Sequence, residues 1–375
     1  MSPRRRRPRR GSGQAPDNLK LYGGENFDFD ARAAALLACC CAKRPRGNRR
    51  ANPLNIVRYI ARRLIFSGLL VLGVSAIIFT LVNAIGNPVQ LLMAERPGIS
   101  EEAVQAMSAY YGLDQPALTR YFTWLAHLAQ FDFGTSIIYN QPVGGMIATW
   151  GLETLKIQIP AILIALIAAV LIGVTAATRQ YSRVDFSVMT GALLGQSLPG
   201  FFVGILLILI FSYWLGVLPS YGAYSTRGLL WNSAVADALW HMVLPVAMLA
   251  FFNTATLTLL MRSNLVDVMR NDFIMAARAS GLPERKVVWG HALRNAFIPV
   301  LTYLGILFGL MLGTAPVTET VFTWPGIGAL YIAAIQQLDY PIIMGVSFVI
   351  TVMLVLATLL TDIAYVLIDP RVRLG

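Results

Sequence analysis

The chain has 375 residues, of which 56% are hydrophobic and only 13% charged, yet its formal net charge is +11. Soluble domains average about 25% charged side chains, so a soluble enzyme and a wholly disordered chain are both poor fits. The positive charge would suit nucleic acid, but residues 1–63 carry 16 Lys and Arg against four acids, a net +12, while the other 312 residues carry 14 against 15, a net −1. The basicity belongs to one end of the chain, and no nucleic-acid partner is expected.

Residues 1–55 read as a basic, disordered cytoplasmic tail. Arg4–Arg7, Arg9 and Arg10 are followed by Gly, Ser, Gln, Pro and Asp, a composition too polar to bury a core and suited to resting on anionic membrane lipid. The twin arginines are not followed by the apolar core of an export signal. Leu36-Leu37-Ala38-Cys39 resembles a lipoprotein cleavage box, but the apolar run before it is about six residues, below the usual 7–15. Cleavage there would also export the basic cluster Lys43–Arg50, against the positive-inside tendency. Cys39–Cys41 are the only cysteines, so the body offers neither a disulfide framework nor a Cys-based metal site. No Met lies between Met1 and Met93; a shorter chain would have to start at a non-Met codon near Leu54 or Val57.

Six segments have the roughly 20 apolar residues that a bilayer-spanning helix needs: about 64–85, 155–177, 187–215, 241–261, 297–317 and 342–367. None alternates with period two, which excludes a β-barrel. Pro160, Pro199 and Pro245 lie in or near these spans, where neighbouring helices can satisfy the freed carbonyls. The expected fold is therefore an all-α integral membrane protein of six transmembrane helices.

Charge sets the orientation. Arg58, Arg62 and Arg63 precede the first span, Arg179 and Arg183 follow the second, and Arg371 and Arg373 close the chain. The loop between spans four and five carries Arg262, Arg270, Arg278, Arg285, Lys286 and Arg294. The other side has Arg96, Arg120 and Arg227 set against Glu95, Glu101, Glu102, Asp114, Asp132 and Asp237. By the positive-inside rule both termini are cytoplasmic.

Two connections are too long to be simple loops. In the external one, about 86–150, Ser100 is placed to cap a helix that Gly112 ends, and Pro116 starts a second over 117–130. Together they predict a helical cap whose Tyr121, Trp124, Leu125 and Leu128 pack on the spans. In the cytoplasmic one, about 262–296, Leu265, Val268, Met269, Phe273 and Ala276 recur at helical spacing. Gly281 ends that helix and Pro283 starts a short one, Glu284 to about Leu293. An amphipathic hairpin tied to the bilayer at both ends is poorly placed for DNA but well placed to seat in a groove on a soluble partner.

Met275-Ala276-Ala277-Arg278-Ala279-Ser280-Gly281 resembles the coupling loop of ATP-binding-cassette importer permeases. His291-Ala292-Leu293-Arg294-Asn295-Ala296-Phe297-Ile298-Pro299-Val300 is similar to its continuation in the dipeptide, oligopeptide and nickel branch. Further landmarks of that branch follow the chain in order: Gly112-Leu113-Asp114-Gln115-Pro116, Phe131-Asp132-Phe133-Gly134-Thr135-Ser136, Ser197-Leu198-Pro199, Glu319 to Gly328, Asp339-Tyr340-Pro341 and Asp369-Pro370-Arg371-Val372-Arg373. The likeness covers about residues 56–375, the permease domain. Two departures stand out: Met275 occupies the position of the motif's acid, and Ser280 stands where many peptide permeases have Lys.

The resemblance implies a non-catalytic subunit. Only Lys20, Lys43, Lys156 and Lys286 occur and none follows Gly, so the Gly-Lys of a P-loop is absent. ATP and Mg would be held by partners, with no cofactor or metal on this chain. The implied partners are two ATPase subunits, a second homologous permease subunit and an extracytoplasmic solute-binding protein. Met275, Ala276, Ala277, Arg278, Gly281, Glu284, Arg285, His291, Arg294 and Asn295 would form the surface that meets the ATPase. Gln196, Ser197, Asn253, Thr254 and Thr256 are candidates to line the path, or equally to bond between helices. Peptides are the expected cargo; nickel complexes, glutathione and oligosaccharides are handled by similar permeases.

Other classes fit less well. An ion-driven secondary transporter would place ionisable groups near the bilayer midplane, whereas Glu153, Lys156, Glu319 and Asp362 fall near predicted span ends. A membrane enzyme is disfavoured by the lack of H-E-x-x-H and G-x-S-x-G and by the scatter of His127, His241 and His291.

Overall fold

The computed structural model describes residues 53–84, 86, 101–110, 112–225 and 233–368. The basic tail, the Ser100 cap and the closing Asp369–Arg373 motif lie outside the described residues. Among the described residues, regular structure is helical apart from one antiparallel bridge between Thr135 and Pro142.

In chain order the helices are α1 (Pro53–Ala84), α2 (Glu101–Tyr110), α3 (Ala117–Leu128), α4 (Val143–Thr178), α5 (Arg183–Ser197) and α6 (Gly200–Leu207), which widens into a π segment, Ile208–Trp214. Then come α7 (Ala234–Met269), α8 (Asp272–Ala279) and α9 (Glu284–Lys286), which runs through a second π segment, Val287–Ala292, into α10 (Leu293–Leu310). The last are α11 (Pro316–Val321), α12 (Ile327–Gln336) and α13 (Tyr340–Ile368).

Five stretches are long and apolar enough to cross a bilayer: Arg62–Ala84, α4, α7, Glu284–Leu310 and Tyr340–Ile363. The sixth expected span, 187–215, is not continuous. Its halves α5 and α6 meet at 100°, so the described residues hold five such helices, or six if the bent pair is one span. The cause is local. A residue before proline is driven out of the helical region by the pyrrolidine ring, and Leu198 is extended, with ψ 135°, directly before Pro199. Pro160 and Pro245, by contrast, lie inside unbroken helices. The predicted fifth span also ends early, because α10 stops at Leu310 and α11 begins separately at Pro316.

The 36-residue helices α4 and α7 form the central pair. Ile157, Ala161, Ile162, Ala165 and Ala169 of α4 are buried, as are Val246, Leu249, Ala250, Leu257 and Met261 of α7. Alanines let the two backbones approach, which is how helices pack where lipid gives no hydrophobic drive between them. Leucines and isoleucines such as Leu163, Ile164 and Ile167 stay exposed on the outer face of α4, as a lipid-facing helix requires.

Helices α2 and α3 occupy the predicted cap region. Gly112 has φ +64°, and Leu113 N–H bonds Ser108 O at 2.8 Å, closing α2 as a left-handed cap does. Tyr121 of α3 sits edge-on to Phe79 at 5.3 Å, and its hydroxyl lies 2.9 Å from Ser75 Oγ. Trp124 meets Phe348 of α13 edge-on at 6.2 Å, so Tyr121 and Trp124 pack on the long helices, while Phe122 is exposed.

Candidate coupling surface and path residues

The amphipathic helix expected over 265–276 is two helices. α7 ends at Met269, Arg270 and Asn271 form a turn, and α8 restarts at Asp272. That turn resets the helical phase, so the inward residues differ from those the spacing suggested. Ile274 is fully buried, while Phe273 is 43% exposed and Met275 54% exposed; Ala276 is exposed as well. Ile274 packs in a cluster with Val174 and Ala177 at the end of α4, Leu265 and Val266 of α7, and Val287, Val288, Ala292 and Ala296 of the following limb. Burying an isoleucine side chain contributes about 1.5–3 kcal/mol, so this one residue seats α8 on the ends of three long helices. The second limb is not a separate short helix either, since Glu284–Leu310 runs unbroken through its π segment.

Gly281 links the two limbs with φ +78° and with nothing within 4 Å of where a Cβ would sit. Glycine is required there by backbone conformation rather than by crowding. Across the turn, Arg278 donates to Glu284 through Nη2 at 2.6 Å and Nε at 3.1 Å. That fork holds the Glu284 carboxyl below its usual range and raises the Arg278 guanidinium. Arg285, His291, Arg294 and Asn295 are all exposed, the last bonding only back to His291 O at 2.9 Å among its side-chain contacts. With Trp289 45% exposed, the outer surface combines Phe273, Met275 and Trp289 with a fringe of cations. Ala277 alone of the predicted set is partly buried, against the Ile274 cluster.

The predicted path residues are partly brought together. Gln196 Nε2 donates to Thr256 Oγ1 at 3.1 Å, linking α5 to α7. Ser197 bonds its own helix at Leu193 O, 2.9 Å away. Asn253 and Thr254 are partly buried one turn along α7. The Gln196–Thr256 pair thus acts as a bond between helices.

Four acids carry more structure than the sequence suggested. Asp185 accepts a bidentate Arg262 pair, 2.8 Å from Nε and 2.7 Å from Nη2, tying the start of α5 to α7. Asp237 is fully buried and accepts Ser225 N–H at 2.7 Å and Ser225 Oγ at 2.6 Å. Asp339, also buried, accepts Ser136 Oγ at 2.5 Å and Ile138 N–H at 3.1 Å. Glu319, expected near a span end, is 0% exposed. Its Oε1 accepts Thr154 Oγ1 of α4 at 2.6 Å, and its Oε2 accepts Ala329 N–H, 2.8 Å away at the start of α12. Thr154 Oγ1 in turn accepts Ile327 N–H at 2.8 Å. Burial raises the Glu319 carboxyl, opposed by these hydrogen bonds. The available signal was an acid lodged among aromatic, proline and glycine residues, Glu319 to Gly328, rather than in a polar loop.

No group of three or more His, Cys, Asp or Glu among the described residues could hold a metal ion. At the opposite ends of the chain, Arg63 of α1 pairs with Asp362 of α13, so the start of α1 lies beside the end of α13.

Residues 169–374 match the model of the binding-protein-dependent transport system inner membrane component. The matched region contains α8, its exposed face and Glu319, but not the Thr154 that Glu319 accepts from. The chain belongs to this family of inner-membrane transport permeases. It is 36% identical over 317 residues to the oligopeptide transport system permease protein AppB of Bacillus subtilis, covering 84% of this chain and 99% of the relative. It is likewise 36% identical over 340 residues to the di/tripeptide transport system permease protein DppB of Pseudomonas aeruginosa, covering 85% and 99%. The glutathione transport system permease protein GsiC of Salmonella choleraesuis is 34% identical over 319 residues, again covering 85% and 99%. Membership makes this a multi-pass protein of the bacterial inner membrane and a transport subunit of an ATP-binding-cassette system.

Proposed function

We propose that the chain is the permease subunit of an ATP-driven importer of di- and oligopeptides, with α8 and the limb from Glu284 as its contact with the ATPase. The carrying observation is the two-sided build of α8. Ile274 anchors it to the ends of α4, α7 and the Glu284–Leu310 helix, while Phe273, Met275 and Trp289 are left exposed. An apolar patch fringed by Arg278, Arg285 and Arg294 fits a cleft on a soluble protein. Closure of two ATPase subunits would then displace α8 and move the long helices with it as rigid bodies.

In this reading both termini and α8 face the cytoplasm, and α2 and α3 face outward to a solute-binding protein. A second, homologous permease subunit completes the path, and ATP and Mg stay in the ATPase. The names of the relatives support peptides as cargo; the glutathione permease among them keeps a modified peptide in the same class.

The test is reconstitution in liposomes with the ATPase subunits, the second permease and the binding protein. Loaded binding protein should stimulate ATP hydrolysis and peptide uptake together. Phe273→Ala with Met275→Ala should abolish both stimulations while leaving membrane insertion intact. Uptake that continues without any ATPase and follows a proton gradient overturns the reading.

A further inference from the structure

A cavity of about 530 Å³ opens where the end of α1, the start of α13 and one face of α3 come together. Arg120, Trp124 and His127 of α3 are among its walls, with Asp132 just beyond that helix. Positions 120, 124 and 127 are neighbours on one helical face, so α3 gives the cavity a row of polar groups. Its volume is that of a small-molecule site, about 300–1,000 Å³.

Two groups in that row lack partners. Arg120 is partly buried, and none of the ion pairs among the described residues includes it. Its guanidinium lies over the Phe79 ring at 5.9 Å. One turn further on, the Trp124 indole N–H is buried and meets no acceptor among the described residues. A guanidinium stays charged in a protein and presents five donors. A cation and a neutral donor, both unmet and one turn apart, call for one oxyanion.

The opposite charge stands at the far end of the row. Asp132 Oδ2 lies 3.0 Å from His127 Nδ1, and Oδ1 accepts the Gly134 N–H at 2.9 Å. A carboxylate has about four acceptor positions, and this side chain is 56% exposed, so it can take a further donor. Arg120 and His127 are about 10 Å apart along a helix that rises 1.5 Å per residue. A simple anion drawn to Arg120 meets repulsion from Asp132. A ligand with an anion and a cation about 10 Å apart satisfies both, and an extended tripeptide has that span at roughly 3.3–3.6 Å per residue.

We infer that the cavity is an external subsite for a free tripeptide, with its carboxylate on Arg120 and the Trp124 N–H and its ammonium on Asp132. The assignment rests on the peptide-importer reading above and adds a length preference to it. An extended hexapeptide, about 20 Å long, cannot set both ends on these groups.

The test measures binding to the full chain in nanodiscs by calorimetry, without binding protein or ATPase. The probes are trialanine, trialanine amide, N-acetyl-trialanine and hexaalanine. The wild-type chain should bind trialanine about tenfold more tightly than either blocked form, the effect of losing one charge-assisted hydrogen-bonding group. Hexaalanine should bind more weakly than trialanine. Arg120→Gln should bind trialanine about tenfold more weakly and no longer tell it from the amide. Asp132→Asn should no longer tell trialanine from its acetylated form. Trp124→Phe, which keeps the ring, should weaken trialanine by less. A purely structural role for these residues does not produce such matched losses of discrimination, and the blocked peptides on the wild-type chain decide the matter even where a variant fails to fold. Equal wild-type affinity for trialanine and its amide overturns the subsite. Displacement of trialanine by equimolar acetate marks a plain anion site and overturns it as well. Loss of binding-protein docking in Arg120→Gln, with trialanine affinity unchanged, assigns the arginine to that protein instead. ATP-driven trialanine uptake by the reconstituted wild type, with no binding to the isolated chain, sinks the subsite and leaves the importer standing; binding without such uptake does the reverse.

Discussion

The connection holding α8 and the connection holding α11 and α12 are both short helical inserts between long helices, yet they are fastened in opposite ways. α8 is held by one buried isoleucine and by an exposed Arg278–Glu284 pair. The α11–α12 insert is held by Glu319, Thr154 and Trp324, whose indole N–H reaches Glu153 O at 2.9 Å, all directional and mostly buried. Apolar packing tolerates small sliding, because dispersion and burial have little angular dependence. A buried hydrogen-bonded carboxylate does not, because each displaced donor is left without water. The chain thus has one insert held by apolar packing and one held by directional buried bonds.

Substitutions can break this contrast. The largest effect is expected at Glu319→Ala, which leaves Ala329 N–H without its acceptor and Thr154 Oγ1 with only its longer bond to Trp150 O, 3.3 Å away. At about 1–3 kcal/mol for each of the two buried donors, the loss is at most about 6 kcal/mol, read as a lower Tm in nanodiscs with little folded protein recovered. A Tm equal to wild type would show that the insert is not held by that carboxylate.

Next comes the Asp185–Arg262 pair, whose side chains are 5% and 18% exposed. Removing one partner of a largely buried pair costs about 3 kcal/mol. Asp185→Ala and Arg262→Ala should each lower Tm, and Asp185→Arg with Arg262→Asp should recover part of the loss. Failure of the double exchange to exceed either single exchange would separate α5 from α7 energetically.

Ile274→Ala should loosen the α8 seat by about 2–3 kcal/mol, a typical cavity cost. Hydrogen exchange across 271–281 should accelerate while α4 and α7 remain protected. Stimulated ATPase activity should fall more than Tm. If exchange spreads into α7, α8 is part of the core rather than seated on it.

The smallest effect belongs to Arg278–Glu284. Glu284 has a lowered carboxyl pKa, so the folded state binds fewer protons than the unfolded one near the usual value. The pair's contribution is present above about pH 4.3 and fades as pH falls through the folded value. With side chains 40% and 58% exposed, it is worth under about 1 kcal/mol and should also fade in salt. Glu284→Gln should remove that pH and salt dependence from hydrogen exchange of the 278–284 turn.

The apolar spans were legible in the sequence because each is a run of about 20 residues that no other fold accommodates. The family was legible because several weak motifs fall in one order. The bend at Leu198–Pro199 was less so: the sequence contains its cause, but Pro160 and Pro245 have the same ring and break nothing. What differs is the backbone at the preceding residue, which a hydropathy pattern does not report. The face of α8 was misread because a two-residue turn at Arg270–Asn271 shifts the phase without interrupting the apolar spacing. The sequence placed Asp237 among the external charges, Glu319 near a span end and Asp339 in a motif, and it did not single out Asp185; the bonds of all four stayed hidden because their partners, Ser225, Thr154, Ser136 and Arg262, are distant or inconspicuous along the chain.

The uninterrupted course from Glu284 to Leu310 gives the molecule a lever arm. Its 27 residues span about 40 Å at 1.5 Å per residue. Pivoting at one end by about 5° sweeps the other by roughly 3 Å over that length. A tilt of a few degrees about one end of this helix is therefore, a bilayer's thickness away, a displacement the size of a water molecule.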